Sequence, residues 1–181
     1  MRNDNINLDS GNLIAKKLKN YAFIDGQNLY LGTTKSTPSW IIDLKRFRIL
    51  LKQRYGVDKA YYFLGYYDKS NSTLYKSLRN DGYILFFRMH SGSQVSLKKG
   101  NVDGDIIFTV MKNLCEKEAF DKVVLVSGDG DYKRMVDYLI EKDKLLRILF
   151  PNSQASILYR KLEPKYYEYL NSKVIINKIK K

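Results

Sequence analysis

The sequence predicts an α/β domain with a mostly parallel sheet covered on both faces. Three observations carry this prediction. Apolar runs of strand length recur along the chain, stretches with helical apolar spacing lie between them, and the changeovers fall at acids, glycines or a proline. The 181 residues suit one domain with short extensions, and 44% hydrophobic residues supply a core. Disordered and collagen-like chains are excluded by the same composition.

The elements follow in order. Tyr21 to Asp25 is a short apolar run that reads as a buried strand. Asp43 opens a helix in which Leu44, Phe47, Leu50 and Leu51 share one side, and Gly56 stops it. Lys59 to Tyr67 is aromatic-rich and predicts a second strand. A helix from Ser72, with Leu74, Tyr75 and Leu78 on one side, closes at Asp81-Gly82, and Tyr83 to Phe87 forms a third strand. The polar segment 88–101 is expected to be a loop or short hairpin. From Asp103 a helix places Ile106, Ile107, Val110, Met111, Leu114 and Cys115 on a broad apolar face. Lys122 to Ser127 is the clearest strand, followed by a Gly128-Asp129-Gly130 turn and a helix from Asp131 with Met135, Val136, Leu139 and Ile140 inward. Leu145 to Phe150 is a fifth strand, ended by Pro151. Gln154 to Leu162 and Pro164 to Leu170 read as closing helices. The expected organisation is a polar extension over 1–20, a folded unit over 21–171 and a basic tail over 172–181.

Charge narrows the partners. With 32 Lys and Arg against 19 Asp and Glu, the net charge is +13, and 15 Tyr and 8 Phe accompany it. That combination suits a polyanion, because cations release counterions from phosphates while aromatic faces stack on unpaired bases. A single cysteine and a single histidine exclude an internal disulfide and a zinc-finger ligand set. There is no secretory apolar region and no run approaching a membrane span, so a soluble cytoplasmic protein is expected.

The scarce acids are placed suggestively. In open α/β sheets, ligands bind beyond the carboxyl ends of the strands, near a change in strand order. The first strand ends at Asp25, and the fourth leads into Asp129 and Asp131. Asp103 and Asp105 begin the helix before the fourth strand, and only the preceding loop could carry them to the same rim. Each acid alone has a structural reading as a helix cap or turn residue. Convergence of four or five would instead demand a compensating cation, and carboxylate oxygens select Mg²⁺ or Mn²⁺. A hard divalent ion in basic surroundings suggests phosphodiester hydrolysis.

The strings FIDGQNLY (Phe23 to Tyr30), KKGNVDGDI (Lys98 to Ile106) and VVLVSGDGDYKRMV (Val123 to Val136) resemble the NYN, or LabA-like, domain of the PIN-like nuclease superfamily. The resemblance runs from about Tyr21 to Phe150. It implies a Rossmann-like three-layer α/β/α sandwich with five or more strands and an acidic Mg²⁺ or Mn²⁺ pocket. It also implies ribonuclease activity, with RNA, single-stranded or structured, as the expected partner; a homodimer is a further expectation. Carried over by motif, Asp25, Asp103, Asp129 and Asp131 would be catalytic metal carboxylates. Asn28 would orient or ligate, and Ser127, Gly128 and Gly130 would let the backbone approach the ion or a phosphate. The family's middle motif often carries another acid six residues after its first. This chain has Thr109 there, with Asp105 as the substitute to weigh. That departure motivates a second reading, an RNA-binding module with weak or no turnover.

Other features each carry a plainer reading beside a functional one. Lys98 and Lys99 could hold phosphates or be a solvated loop, and Arg134 could face phosphate or be an exposed helix charge. Tyr61 and Phe63 alternate with Tyr62 and Leu64 onto opposite sheet faces, mostly as core, leaving Tyr66 and Tyr67 as stacking candidates. Trp40 could stack on a base or plug a groove. His90 reads as a loop residue, and Cys115 as inert packing. A haloacid dehalogenase-type phosphatase needs a second Asp where this chain has Gln27, and no P-loop string occurs.

Overall fold

The protein is described here by a computed structural model covering residues 19–88, 102–116 and 120–181. Six strands form one sheet: β1 (Asn20–Asp25), β2 (Val57–Leu64), β3 (Tyr83–Phe87), β4 (Val123–Val126), β5 (Leu145–Phe150) and β6 (Tyr167–Tyr169). Their order is β3-β2-β1-β4-β5-β6, and every pairing is parallel. A parallel sheet requires crossovers, which here are α1 (Gly26–Thr34), α2 (Leu44–Tyr55), α3 (Ser72–Asn80), α4 (Asp103–Cys115) and α5 (Lys133–Glu141). A last helix, α6 (Lys173–Ile179), follows β6.

Strand alternation divides the apolar side chains between two layers. Ala22, Ile24, Ala60, Tyr62, Val124, Val126 and Leu149 point to one face, where Leu29 of α1, Phe47 and Leu51 of α2, Leu78 of α3 and Ile175 and Ile179 of α6 cover them. Phe23, Tyr61, Phe63, Val123, Leu125, Ile148 and Phe150 point to the other, under Ile106 and Val110 of α4 and Met135, Val136 and Leu139 of α5. The result is the expected α/β/α sandwich. All four residues of β4 are buried because that strand is flanked by β1 and β5 and covered above and below.

Local signals set several boundaries as read. The Asp43 carboxylate accepts from Arg46 N at 3.0 Å, starting α2, and Gly56 ends it in the left-handed region at φ 61°. Four segments differ from expectation. Residues 26–34 form α1, which the sequence signals did not reveal, since Gly26 and Gly32 dilute its apolar pattern. The predicted closing helices are instead short 3-10 turns at Ile157–Tyr159 and Pro164–Tyr166, followed by β6, which pairs through Ile148↔Tyr167 and Phe150↔Tyr169. Pro164 starts a single tight turn, and the aromatic alternation after it suits a strand. The stretch expected as a basic tail, 172–181, contains α6: Ile175 and Ile179 sit one turn apart and are buried against the α2 side. Cys115, expected in packing, is exposed at the end of α4. Trp40 proves to be a core residue, 5% exposed, and does not present a free stacking face.

Candidate metal centre

The change in strand order falls between β1 and β4, and both strands deliver acids to their carboxyl ends. Asp25 closes β1 and is the N-cap of α1: one carboxylate oxygen accepts from Asn28 N at 2.9 Å. After β4, Ser127 is fully buried, and its Oγ accepts from Asp129 N at 3.1 Å. Asp129 in turn caps the 3-10 turn Gly130–Tyr132 by accepting from Asp131 N at 3.0 Å. The Asp129 carbonyl receives the Tyr159 hydroxyl at 2.7 Å. Gly128 N donates to Asn28 Oδ1 at 2.9 Å, tying the start of α1 to the turn after β4. Caps and turns therefore do both jobs that the sequence left open: the hydrogen bonds that make Asp25 and Asp129 structural also fix where their carboxylates sit.

Asp103 arrives from α4 on the opposite layer. Its placement depends on Tyr132, a fully buried residue whose hydroxyl lies 2.5 Å from Asp103 Oδ1 and 3.1 Å from Asp25 Oδ2. One phenolic proton serves one of these acceptors at a time, so the bridge draws two carboxylates onto a single donor. Burial, with Asp25 and Asp103 alongside, pushes the Tyr132 phenol far up, so it stays protonated and acts as a donor. The Asp25 carboxyl is also pushed above its ordinary range. Burial is the main cause, opposed by the bonds from Asn28 N and Tyr132, and reinforced by the charges of Asp103 and Asp129.

Asp103, Asp129 and Asp131 each offer a carboxylate oxygen, and the three lie within 4.8 Å of one another. Two are half-buried and Asp131 is exposed, so the cluster opens to solvent. Among the described residues, none of the ion pairs includes Asp25, Asp129 or Asp131. An all-oxygen donor set of three carboxylates fits a hard divalent cation. Asp25 lies behind the cluster and joins it through the Tyr132 hydroxyl.

The other candidates sort by position. Asp105 stays out of the acid cluster: it lines a neighbouring cavity with Phe63, Phe86, Phe108 and Thr109, and its carbonyl accepts the Thr109 hydroxyl at 2.6 Å. Two residues on a helix are about 200° apart, so Asp103 and Asp105 cannot share one face. At Gly130 the turn runs close under Ser156 and Leu158: an added Cβ would lie 2.5 Å from Ser156 Oγ and 2.9 Å from Leu158 Cδ1, so those side chains would have to shift. Arg134 is exposed on the first turn of α5. Tyr66 is half-buried, and the exposed Tyr67 packs on Tyr75 and Phe87. Lys98, Lys99 and His90 lie outside the described residues. Sequence reasoning missed Tyr132 and Tyr159. The first directly follows the SGDGD string, and its place beside the last acid was the available signal.

The fold and site define a doubly wound α/β domain with a carboxylate-only centre, suited to a divalent cation, at its switch point. Residues 20–169 match the NYN domain, and the chain belongs to that family, whose fold is nuclease-like. It is 23% identical over 165 residues to the low amplitude and bright protein LabA of Synechococcus elongatus, covering 86% of each chain. A crystal structure of a Vibrio parahaemolyticus protein of unknown function superposes with a TM-score of 0.70 at 19% identity, covering 86% of this chain and 94% of that one. That likeness speaks for the fold. No helix among the described residues is long and apolar enough to cross a membrane.

Proposed function

We propose that the protein is a cytoplasmic, metal-dependent ribonuclease that hydrolyses RNA phosphodiester bonds at the acidic centre. The observation that carries this reading is the convergence of Asp103, Asp129 and Asp131 within 4.8 Å, from two stretches of sequence more than twenty residues apart, in a chain of net charge +13. Asp103, Asp129 and Asp131 would hold Mg²⁺ or Mn²⁺, with Asp25 behind them. When bound, such an ion supplies a Lewis acid for the phosphodiester. The protein's own part is positional. Asp129 is locked by Ser127, Asp131 N and Tyr159, and Asp103 and Asp25 are aligned by the Tyr132 hydroxyl. The carboxylates repel the scissile phosphate when no cation lies between them, so turnover is coupled to the ion, while the Lys and Arg residues elsewhere on the chain bind the RNA backbone without it.

The test is a labelled RNA incubated with Mg²⁺ or Mn²⁺ and, separately, with EDTA. The parent is expected to cleave only with metal, and Asp129→Asn to lose cleavage while still binding RNA, because the Lys and Arg residues are unchanged. Equal cleavage by parent and Asp129→Asn would overturn the assignment. The alternative, RNA binding without turnover, is favoured by one observation: the position where the family's further acid is expected holds Thr109, which bonds to its own helix. Metal-independent binding with no cleavage in either ion would establish that alternative.

A further inference from the structure

Beside the acidic centre lies a second concavity of about 240 Å³, lined by Asn28, Gly32, Lys35, Gly128, Asn152 and Gln154 among others. It shares a wall with the centre, since Gly128 directly precedes Asp129 and Asn28 is bonded to it. From there it runs along α1, because Asn28, Leu31, Gly32 and Lys35 follow the i, i+3, i+4, i+7 stripe of one helix face. Seven residues at 1.5 Å rise separate Asn28 from Lys35 by about 10 Å along the axis.

The groove is built, not incidental. Its far wall is the segment after β5, and that segment is fastened at both ends. Asn152 Nδ2 donates to Gly32 O at 2.6 Å, Gln154 N donates to Asn152 Oδ1 at 2.7 Å, and Ser156 N donates to Gly128 O at 2.9 Å. Gly32 is what lets the wall approach α1: a Cβ there would lie 2.5 Å from Pro151 Cβ. Within this rigid frame, the Lys35 ammonium and the Gln154 side-chain amide make no hydrogen bond or ion pair among the described residues. The cleft therefore presents a cation at the end remote from the carboxylates and uncommitted amide groups along its length.

We propose that this groove holds the RNA strand on one side of the scissile bond, with Lys35 taking a phosphate a nucleotide or two away and Gln154 meeting a base or ribose edge. The proposal rests on the ribonuclease reading and deepens it by naming the strand's path. The geometry favours a single strand. The groove follows one helix face, pairs the polar Asn28, Asn152 and Gln154 with the apolar Leu31, Pro151 and Ala155, and offers one cation along that line rather than a broad basic surface.

The experiment measures binding of a fluorescein-labelled single-stranded oligoribonucleotide of mixed sequence to the intact protein in EDTA, over a range of salt. Variants are Lys35→Glu, Lys35→Arg and, as a matched charge change, Lys142→Glu. Lys142 is exposed at the C-cap of α5, just before β5 begins, and so near the amino ends of the strands, away from the rim that carries the acids. Lys35→Glu is expected to weaken binding several-fold and to lower the salt slope by about 0.7–1. Lys35→Arg should restore the slope, and Lys142→Glu should leave it unchanged. Equal losses from Lys35→Glu and Lys142→Glu would overturn the groove and assign the effect to bulk charge, as would no loss from Lys35→Glu or no binding by the parent. Cleavage by the parent in Mn²⁺, scored separately, tells the two readings apart. Cleavage with an inert Lys35 removes the groove alone, and an active Lys35 without cleavage removes the nuclease alone.

Discussion

Removing the Tyr132 hydroxyl tests the construction of the acidic centre. Tyr132→Phe keeps the ring, which is fully buried against both α4 and α5, and deletes only the oxygen shared by Asp103 and Asp25. A hydrogen bond to a charged acceptor contributes about 1.5–3 kcal/mol, because its loss leaves a partly buried carboxylate short of a donor. For a domain of this size 1 kcal/mol moves Tm by about 2–4 °C, so the expected loss is about 3–12 °C without metal. Tyr159→Phe is the internal comparison. Its hydroxyl donates at 2.7 Å to a neutral acceptor, the Asp129 carbonyl, and such a bond contributes about 0.5–1.5 kcal/mol, or roughly 1–6 °C. Thermal unfolding followed by circular dichroism in EDTA gives both values. If Tyr159→Phe lost more than Tyr132→Phe, or Tyr132→Phe melted within about 1 °C of the parent, the bridge would not organise the site in the way derived above.

Further outcomes are expected. Mn²⁺ at about a hundred times its dissociation constant should stabilise the parent by about 2.7 kcal/mol, a rise of about 5–11 °C. Asp129→Asn should abolish that rise yet melt no lower than the parent in EDTA, since it removes a like charge; a large loss in EDTA would make Asp129 primarily structural. Gly26→Ala should destabilise by about 1–3 kcal/mol in urea denaturation, because the new methyl meets Tyr62 Cε1 at 2.5 Å and the Phe63 carbonyl oxygen at 2.7 Å. Gly104→Ala on α4 meets nothing within 4 Å and should instead stabilise by about 0.5–1 kcal/mol. Cys115 should react with a disulfide reagent in the folded state at a stoichiometry of one thiol per chain; protection until denaturation would contradict its exposure.

What the sequence discloses and conceals has physical causes. β3 and β5 are found at the expected residues, and α2 begins and ends at its cap and its glycine, because these features are local. β6 escapes a local reading. Three residues that pair only with β5 have no periodicity to show, and the preceding proline mimics a helix start. α6 hides because Lys-rich composition masks two isoleucines one turn apart. The same division runs through the site. Asp25, Asp129 and Asp131 follow strand ends, and parallel topology brings them to one edge. The arrival of Asp103, and the departure of Asp105 from it, depend on where α4 meets Tyr132, which is a contact between elements 29 residues apart. The groove beside α1 was illegible for the same reason: it exists only where the segment after β5 folds back onto Gly32.

The last helix changes what counts as dispensable. Beyond Ile175 and Ile179, the chain's end is stitched to the strand-like segment before α2: Asp43 N donates to Ile179 O at 2.6 Å and Lys181 N to Ile41 O at 2.9 Å. A version shortened to residue 171 would shed two fully buried isoleucines, worth roughly 1.5–3 kcal/mol each, and bare the outer flank of Phe47 and Leu51. Trimming that basic segment to improve handling would therefore invite aggregation.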